Sequence, residues 1–114
     1  MSPLAREACV ACGPTAPRLT AAEIEALKPE IPQWSLMERD GIARIERVYR
    51  FANFVEALAF TARVGALAEA AGHHPAITTE WGRVTVGWWT HAIGGLHRND
   101  FVMAAKTDAL GAGR

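Results

Sequence analysis

A chain of 114 residues and 12.3 kDa has room for one ordinary domain and no second core, which excludes two-domain enzymes and long repeat arrays. Half of the residues are apolar and 21% are charged, the composition of a globular domain rather than of a disordered or fibrous chain. Lys plus Arg and Asp plus Glu each number 12, so the formal net charge is +0 and the chain lacks the basic field that attracts nucleic acid. No nucleic-acid partner is expected.

Residues 1–18 carry Pro3, Gly13, Pro14 and Pro17 with no apolar period, and read as a flexible N-terminal arm ahead of one domain over 19–110. The arm has no apolar stretch of the ~7–15 residues that a secretory signal needs. No run approaches the ~18–20 apolar residues that cross a bilayer, since Phe54 to Leu67 is interrupted by Glu56 and Arg63. A cytoplasmic protein with no membrane partner is therefore expected. Cys9 and Cys12 form a single C-x-x-C, which leaves half a zinc site, a redox pair and two reduced thiols all open.

Thr20 followed by Glu23 has the spacing of a capping box, so a short helix starts there and stops before Pro29. Asp40-Gly41 between Trp34–Glu38 and Ile42–Phe51 predicts a first hairpin. Asn53 caps a long helix that runs to Ala71, where Gly72 supplies the stop. Ala76–Trp81 and Arg83–His91, rich in Thr, Val and Trp, predict a second hairpin turning at Gly82. Gly94-Gly95 then breaks the chain, and a last helix starts near Asn99 or Asp100 and ends about Ala109. The order predicts an α+β fold: a two-layer sandwich of an antiparallel sheet and helices.

On a wheel of ~100° per residue the long helix has a broad apolar arc containing Phe54, Leu58, Phe60, Ala62, Val64 and Leu67, with Ala57, Thr61, Gly65 and Ala68 in its middle. An arc that wide fits either a deep monomeric core or a helix shared between the sheet and a second subunit. Glu69 falls on the apolar side, where a carboxylate needs a partner or a ligand. His73 and His74 follow at the helix end, with Pro75 restricting His74 to extended backbone, so the two side chains point two ways. All four histidines lie within 73–97, beside Trp81, Trp88 and Trp89, which together read as a flat aromatic pocket with titratable walls.

Imidazoles suit proton transfer in both directions near neutrality, and they are also common metal ligands. His73 and His74 lack the i, i+4 spacing that places two ligands on one helix face, which favours acid–base chemistry over metal catalysis. Dinucleotide, phosphate-loop and hydrolase-elbow signatures are absent.

The composite pattern Glu69-x3-His73-His74-Pro75-x5-Trp81-x9-His91-x8-Asp100 resembles the signature of the pterin-4a-carbinolamine dehydratases, with E-W-G-R-V-T-V and G-L-H-R-N-D-F extending the likeness over 19–109. The Cys9/Cys12 arm also resembles bacterial members associated with phenylalanine hydroxylase. The resemblance implies a four-stranded antiparallel sheet with helices packed on one face, assembled as a homo-dimer or tetramer. It implies dehydration of a 4a-hydroxytetrahydropterin to quinonoid dihydropterin, with a pterin as substrate and no metal or organic cofactor. It makes His73, His74 and His91 the catalytic set, with Glu69, Asp100, Trp81 and Pro75 binding the substrate or orienting a histidine. Relatives that serve as transcription cofactors or Rubisco assembly factors supply the non-enzymatic alternative.

Overall fold

The computed structural model describes residues 3–8 and 16–111. Cys9 and Cys12 lie outside these residues. Three α-helices, α1 (Ala21–Leu27), α2 (Phe54–Ala71) and α3 (Arg98–Asp108), accompany four strands, β1 (Ser35–Arg39), β2 (Ile42–Arg50), β3 (Ala76–Glu80) and β4 (Arg83–Trp88). The sheet is antiparallel throughout with the order β1-β2-β4-β3. Among the described residues, no helix is long and apolar enough to cross a membrane.

Local chemistry sets the element ends. The Thr20 hydroxyl accepts from the Glu23 N–H while the Glu23 carboxylate accepts from the Thr20 N–H, the reciprocal capping box that starts α1. Asp40 and Gly41 both take positive φ, 53° and 77°, as a two-residue hairpin turn matched to strand twist requires. The Asn53 side chain accepts from the Glu56 N–H at the start of α2, and Gly72 closes that helix in left-handed geometry at φ 66°.

The core lies between the helices and one face of the sheet. Residues two apart on a strand share a face, so Ile45 and Tyr49 of β2 and Val84, Val86 and Trp88 of β4 all point inward. Ala57, Phe60, Val64 and Ala68 of α2 meet them, with Phe60 against the rings of Tyr49 and Phe51. The buried stripe of α2 is therefore narrower than its apolar arc. Phe54, Val55 and Leu58 remain exposed, and a Cβ built on Gly65 meets no atom within 4 Å. Ala57 and Ala68 are thus core residues, not members of an outward-facing stripe.

Three sequence expectations need correction. The described part of the arm is packed rather than loose: Pro3–Arg6 forms a 3-10 turn, Leu4 is only 2% exposed, and the Lys106 ammonium donates to the Ala5 carbonyl at 3.0 Å. Leu4 and Ala5 repeat at no helix or strand period, so only the tertiary contact reveals them. Strand β4 stops at Trp88, and His91 opens a 3-10 turn, His91–Ile93, because Thr90 bridges to Gly95 and folds the chain back. Helix α3 starts one residue before Asn99, with His97 as its cap.

Leu4→Ala is expected to cost about 2–3 kcal/mol, within the range for a buried leucine, as a lower urea midpoint. An unchanged midpoint would return residues 3–8 to the status of a dispensable arm.

Candidate active site

Asp100 is fully buried in the first turn of α3 and is the centre of the site. Its Oδ1 accepts from the His73 Nε2–H at 2.7 Å. Its Oδ2 accepts from the Thr90 hydroxyl at 2.8 Å and from the His97 backbone N–H at 2.9 Å. A buried carboxylate is tolerable only when its lone pairs are met by donors, and here three donors from three segments meet them. Its place in the first turn of a helix adds the favourable end of the backbone dipole.

This network sets tautomers. A carboxylate can only accept, so the ring proton of His73 sits on Nε2 and the Nδ1 lone pair is left for other work. His97 is read the same way. Its Nδ1 accepts from the Asn99 N–H at 3.0 Å, which caps α3 and leaves the ring proton on Nε2. His73 also stacks on Trp88, with 5.6 Å between ring centroids and an interplanar angle of 3°. Trp88 in turn donates from Nε1 to Thr107 at 3.2 Å, so the indole that supports His73 is itself fixed.

His73 and His74 point apart, as the sequence requires. His74 pairs at Nε2 with the Glu69 carboxylate at 2.9 Å, one turn back on α2. Glu69 is not on an apolar face: its side chain is 82% exposed. The stripe that the sheet covers is centred on Ala57, Val64 and Ala68, which turns Glu69 outward. His91 is exposed and stacks with Trp89 at 4.4 Å. Trp89 also carries the Arg44 guanidinium 3.9 Å above its ring.

Asp100 thereby brings the histidine-bearing segments together. It holds residue 73 on one side and residue 90 on the other, and His74 and His91 are each the next residue, ~3.8 Å along the chain at Cα. Two further contacts fix the His91 turn. Arg18 donates from Nε to the Ile93 carbonyl at 2.7 Å, and the Leu19 N–H donates to the Leu96 carbonyl at 2.9 Å. Gly95 is required under that clamp, since a Cβ there would lie 2.8 Å from Arg18 Cδ.

Trp81 is not brought in. It is 73% exposed at the β3–β4 turn, with the whole of β3, roughly 16 Å at ~3.3 Å per residue, between it and Pro75. The aromatic walls beside the histidines are Trp88 and Trp89. Thr90 is a site residue that sequence reasoning did not select, and Trp88 and His97, read from sequence only as members of the aromatic and histidine cluster, take specific roles here as the support of His73 and the cap of α3. Only their adjacency to His91 and Asp100 could have flagged them. Among the described residues, no three of His, Cys, Asp and Glu are grouped so as to hold a metal ion.

The family model for pterin 4 alpha carbinolamine dehydratase matches residues 17–110. The chain belongs to that family. A protein of Gloeobacter violaceus that carries the provisional name pterin-4-alpha-carbinolamine dehydratase 1 is 62% identical over 96% of this chain and 94% of its own. One of Nitrosococcus oceani, with a similarly provisional name, is 57% identical over 96% and 97%. The solved transcriptional coactivator/pterin dehydratase of Brucella melitensis superposes with a TM-score of 0.73 at 32% identity, over 82% of this chain and 98% of that one. A pterin dehydratase-like protein described as a RuBisCO assembly factor in the alpha-carboxysome has a TM-score of 0.59 at 22% identity, over 72% and 93%, which shows the shared fold alone. The α+β sheet-and-helix architecture is thus the pterin dehydratase fold, and the Asp100 constellation lies wholly inside the matched region.

In Asp100→Asn the NH2 group would face either the His97 backbone N–H, which can only donate, or the His73 Nε2, which would have to give up its proton to accept. The expected cost is about 1–3 kcal/mol of stability, the penalty for an unsatisfied buried polar group, read from urea unfolding. Nitrogen shifts of the His73 ring should also show loss of the single Nε2–H tautomer. A variant with the parent's midpoint and tautomer would mean that Asp100 does not hold the site.

Proposed function

We propose that this protein dehydrates a 4a-hydroxytetrahydropterin to quinonoid dihydropterin and water by histidine acid–base catalysis. The observation that carries this reading is the Asp100 carboxylate, which gathers His73 and the segments bearing His74 and His91 around one buried anchor. In the reaction the C4a–O bond breaks and a C4a–N5 double bond forms. Hydroxide is a poor leaving group near neutrality, so an imidazolium gives the 4a oxygen a proton as it departs as water. The N5 lone pair supplies the electrons, and a neutral imidazole takes the N5 proton. Atoms and charge balance without a metal or an organic cofactor, and none is part of the proposal.

His74 and His91, both exposed to an incoming ligand, are assigned the proton transfers. His73, held through Nε2, offers Nδ1 to the pterin. Glu69 and Asp100 orient histidines, and Pro75 holds the backbone of His74 extended. Trp81 has no role in this scheme. The biological setting in which such a carbinolamine arises is hydroxylation of an aromatic amino acid, so a functional link to a phenylalanine hydroxylase and a role in pterin recycling belong to the same proposal.

A stopped-flow absorbance assay of carbinolamine decay tests the reading, run with and without chelator, which is expected to make no difference. His74→Ala and His91→Ala should each slow dehydration by ~10²–10⁴-fold, the usual worth of a positioned acid or base, while the urea midpoint changes little. Decay no faster with protein than without it would favour the non-enzymatic accessory reading. Variants that keep at least half the rate would remove the assigned roles.

A homo-oligomer is part of the proposal. Val55 is 74% exposed, Phe54 and Leu58 stand open beside it, and Gly65 leaves space for a close neighbour on the outward face of α2. A Cβ at position 65 meets no atom of the chain within 4 Å, so the overpacking cost of Gly65→Leu, ~1–3 kcal/mol, is expected at a subunit contact. Light scattering should show a multimeric wild type and a smaller variant with unchanged helix content. A monomeric wild type at micromolar concentration would refute the oligomer.

A further inference from the structure

The helices cover one face of the sheet, and the other face carries a cleft of about 430 Å³ lined by Arg39, Arg44, Glu46, Thr78, Thr85 and Gly87, with Ala76 at its edge. That volume falls within the range that holds a small ligand. The cleft is distinct from the Asp100 network, which lies on the helix side, yet it adjoins the histidine segments. Ala76 follows Pro75, Gly87 precedes Trp88, and Arg44 shares the Trp89 ring with His91.

The charges in the cleft do not cancel. Arg39 donates from Nε and Nη2 to both Glu46 oxygens, at 2.9 and 3.2 Å, so this pair is a closed two-pronged ion pair. Arg44 shares the same carboxylate in a looser ion pair, Nη1 to Glu46 Oε2 at 3.5 Å, and makes no hydrogen bond among the described residues, so two cations divide one anion. Its Nε is buried without an acceptor. Its guanidinium rests on Trp89, a contact that orients the plane but satisfies none of the N–H donors. One positive charge is therefore in surplus, on a guanidinium that is held in place and makes no hydrogen bond among the described residues.

The rest of the lining is matched to the same kind of ligand. Thr78 and Thr85 stand directly opposite each other in the β3–β4 register, both on the open face, and neither hydroxyl is engaged within the described chain. Gly87, paired with Glu46 across β2–β4 and with Ala76 across β3–β4, keeps the floor bare. A Cβ at position 87 would lie 3.2 Å from Glu46 Cγ, tight enough to disturb the carboxylate that Arg39 grips.

We infer that this cleft is a binding site for a small oxyanion, a carboxylate or a phosphate group, with Arg44 as its cation and Thr78 and Thr85 as auxiliary donors. A planar guanidinium fork recognises either oxyanion through paired charge-assisted hydrogen bonds. Because Trp89 touches both Arg44 and His91, occupancy would be felt at His91 and so at the histidine set. The site does not depend on the dehydratase reading, and its test is a binding measurement.

Titration of the full chain with inorganic phosphate, and separately with acetate, in chloride-free buffer is followed by nitrogen–proton correlation spectra. The expected result is saturable movement of the Gly87 amide and the Trp89 indole signal, with the tighter of the two ions naming the ligand chemistry. Arg44→Gln should weaken binding at least ~10-fold and Thr85→Val about 3-fold, as loss of a charge-assisted and a neutral hydrogen bond would. Arg44→Lys, which keeps the charge, should fall between wild type and Arg44→Gln and guards against loss of fold. No saturable shift with either ion, or Arg44→Gln binding as tightly as the parent, would overturn the proposal.

Discussion

The buried Asp100 carboxylate is the constraint on which the rest of the site depends. Removed from water, it would cost several kcal/mol if left unpaired, so its position is stable only where donors converge. Those donors come from the segment after α2 (His73), the segment after β4 (Thr90) and the entry to α3 (His97). One side chain thus couples the helix layer to the end of the sheet. Function and fold are joined here, because the same three bonds that neutralise a desolvation penalty also orient His73 and bring His74 and His91 near it.

A second aspartate at the other end of α3 shows what distinguishes a site from an anchor. Asp108 accepts from the Trp34 indole N–H at 3.1 Å, from Arg47 at 2.7 Å and from the Tyr49 hydroxyl, tying the end of the helix to the sheet. Burial, and then the Asp108 carboxylate beside it, push the Tyr49 phenol far above its ordinary range, so it stays a donor. Arg47 is a permanent cation, and an arginine–carboxylate pair has one charge state at any physiological pH. Asp100 faces an imidazole instead, which can gain and lose a proton. The two ends of α3 use the same acid with different partners: Asp108 ties the helix to the sheet through a tryptophan, an arginine and a tyrosine, and Asp100 orients an imidazole.

How far the sequence could be read follows from the range of the interactions involved. Caps and turns act over three or four residues, so Thr20 with Glu23, Asp40-Gly41, Asn53 and Gly72 were each legible where they stand. The spacing of Glu69, His73, His74, His91 and Asp100 was legible as a pattern, but their pairings were not. Which face of α2 meets the sheet depends on where the sheet lies. A wheel cannot choose between Leu58 with Ala62 and Ala57 with Ala68, since all are apolar, and that ambiguity put Glu69 on the wrong side. Leu4 and Trp81 failed for a related reason. An apolar residue in a segment without a period gives no sign of burial, and a tryptophan in a strand-like run suggests a wall, yet Leu4 is core and Trp81 is exposed.

The consecutive tryptophans at the end of β4 give the site its shape. Side chains alternate along a strand, and Trp88 turns inward, opposite Ile45 in register and bonded to Thr107 of α3. Trp89 meets Arg44, which shares the uncovered face with Glu46. His73 stacks on the first ring and His91 on the second, so these two imidazoles approach the end of the sheet from its two sides rather than lining one wall. The strand's two-residue period is the cause: it places Trp88 under His73, whose Nε2 Asp100 holds, and Trp89 under His91, so that two consecutive residues support imidazoles on different sides of the strand end.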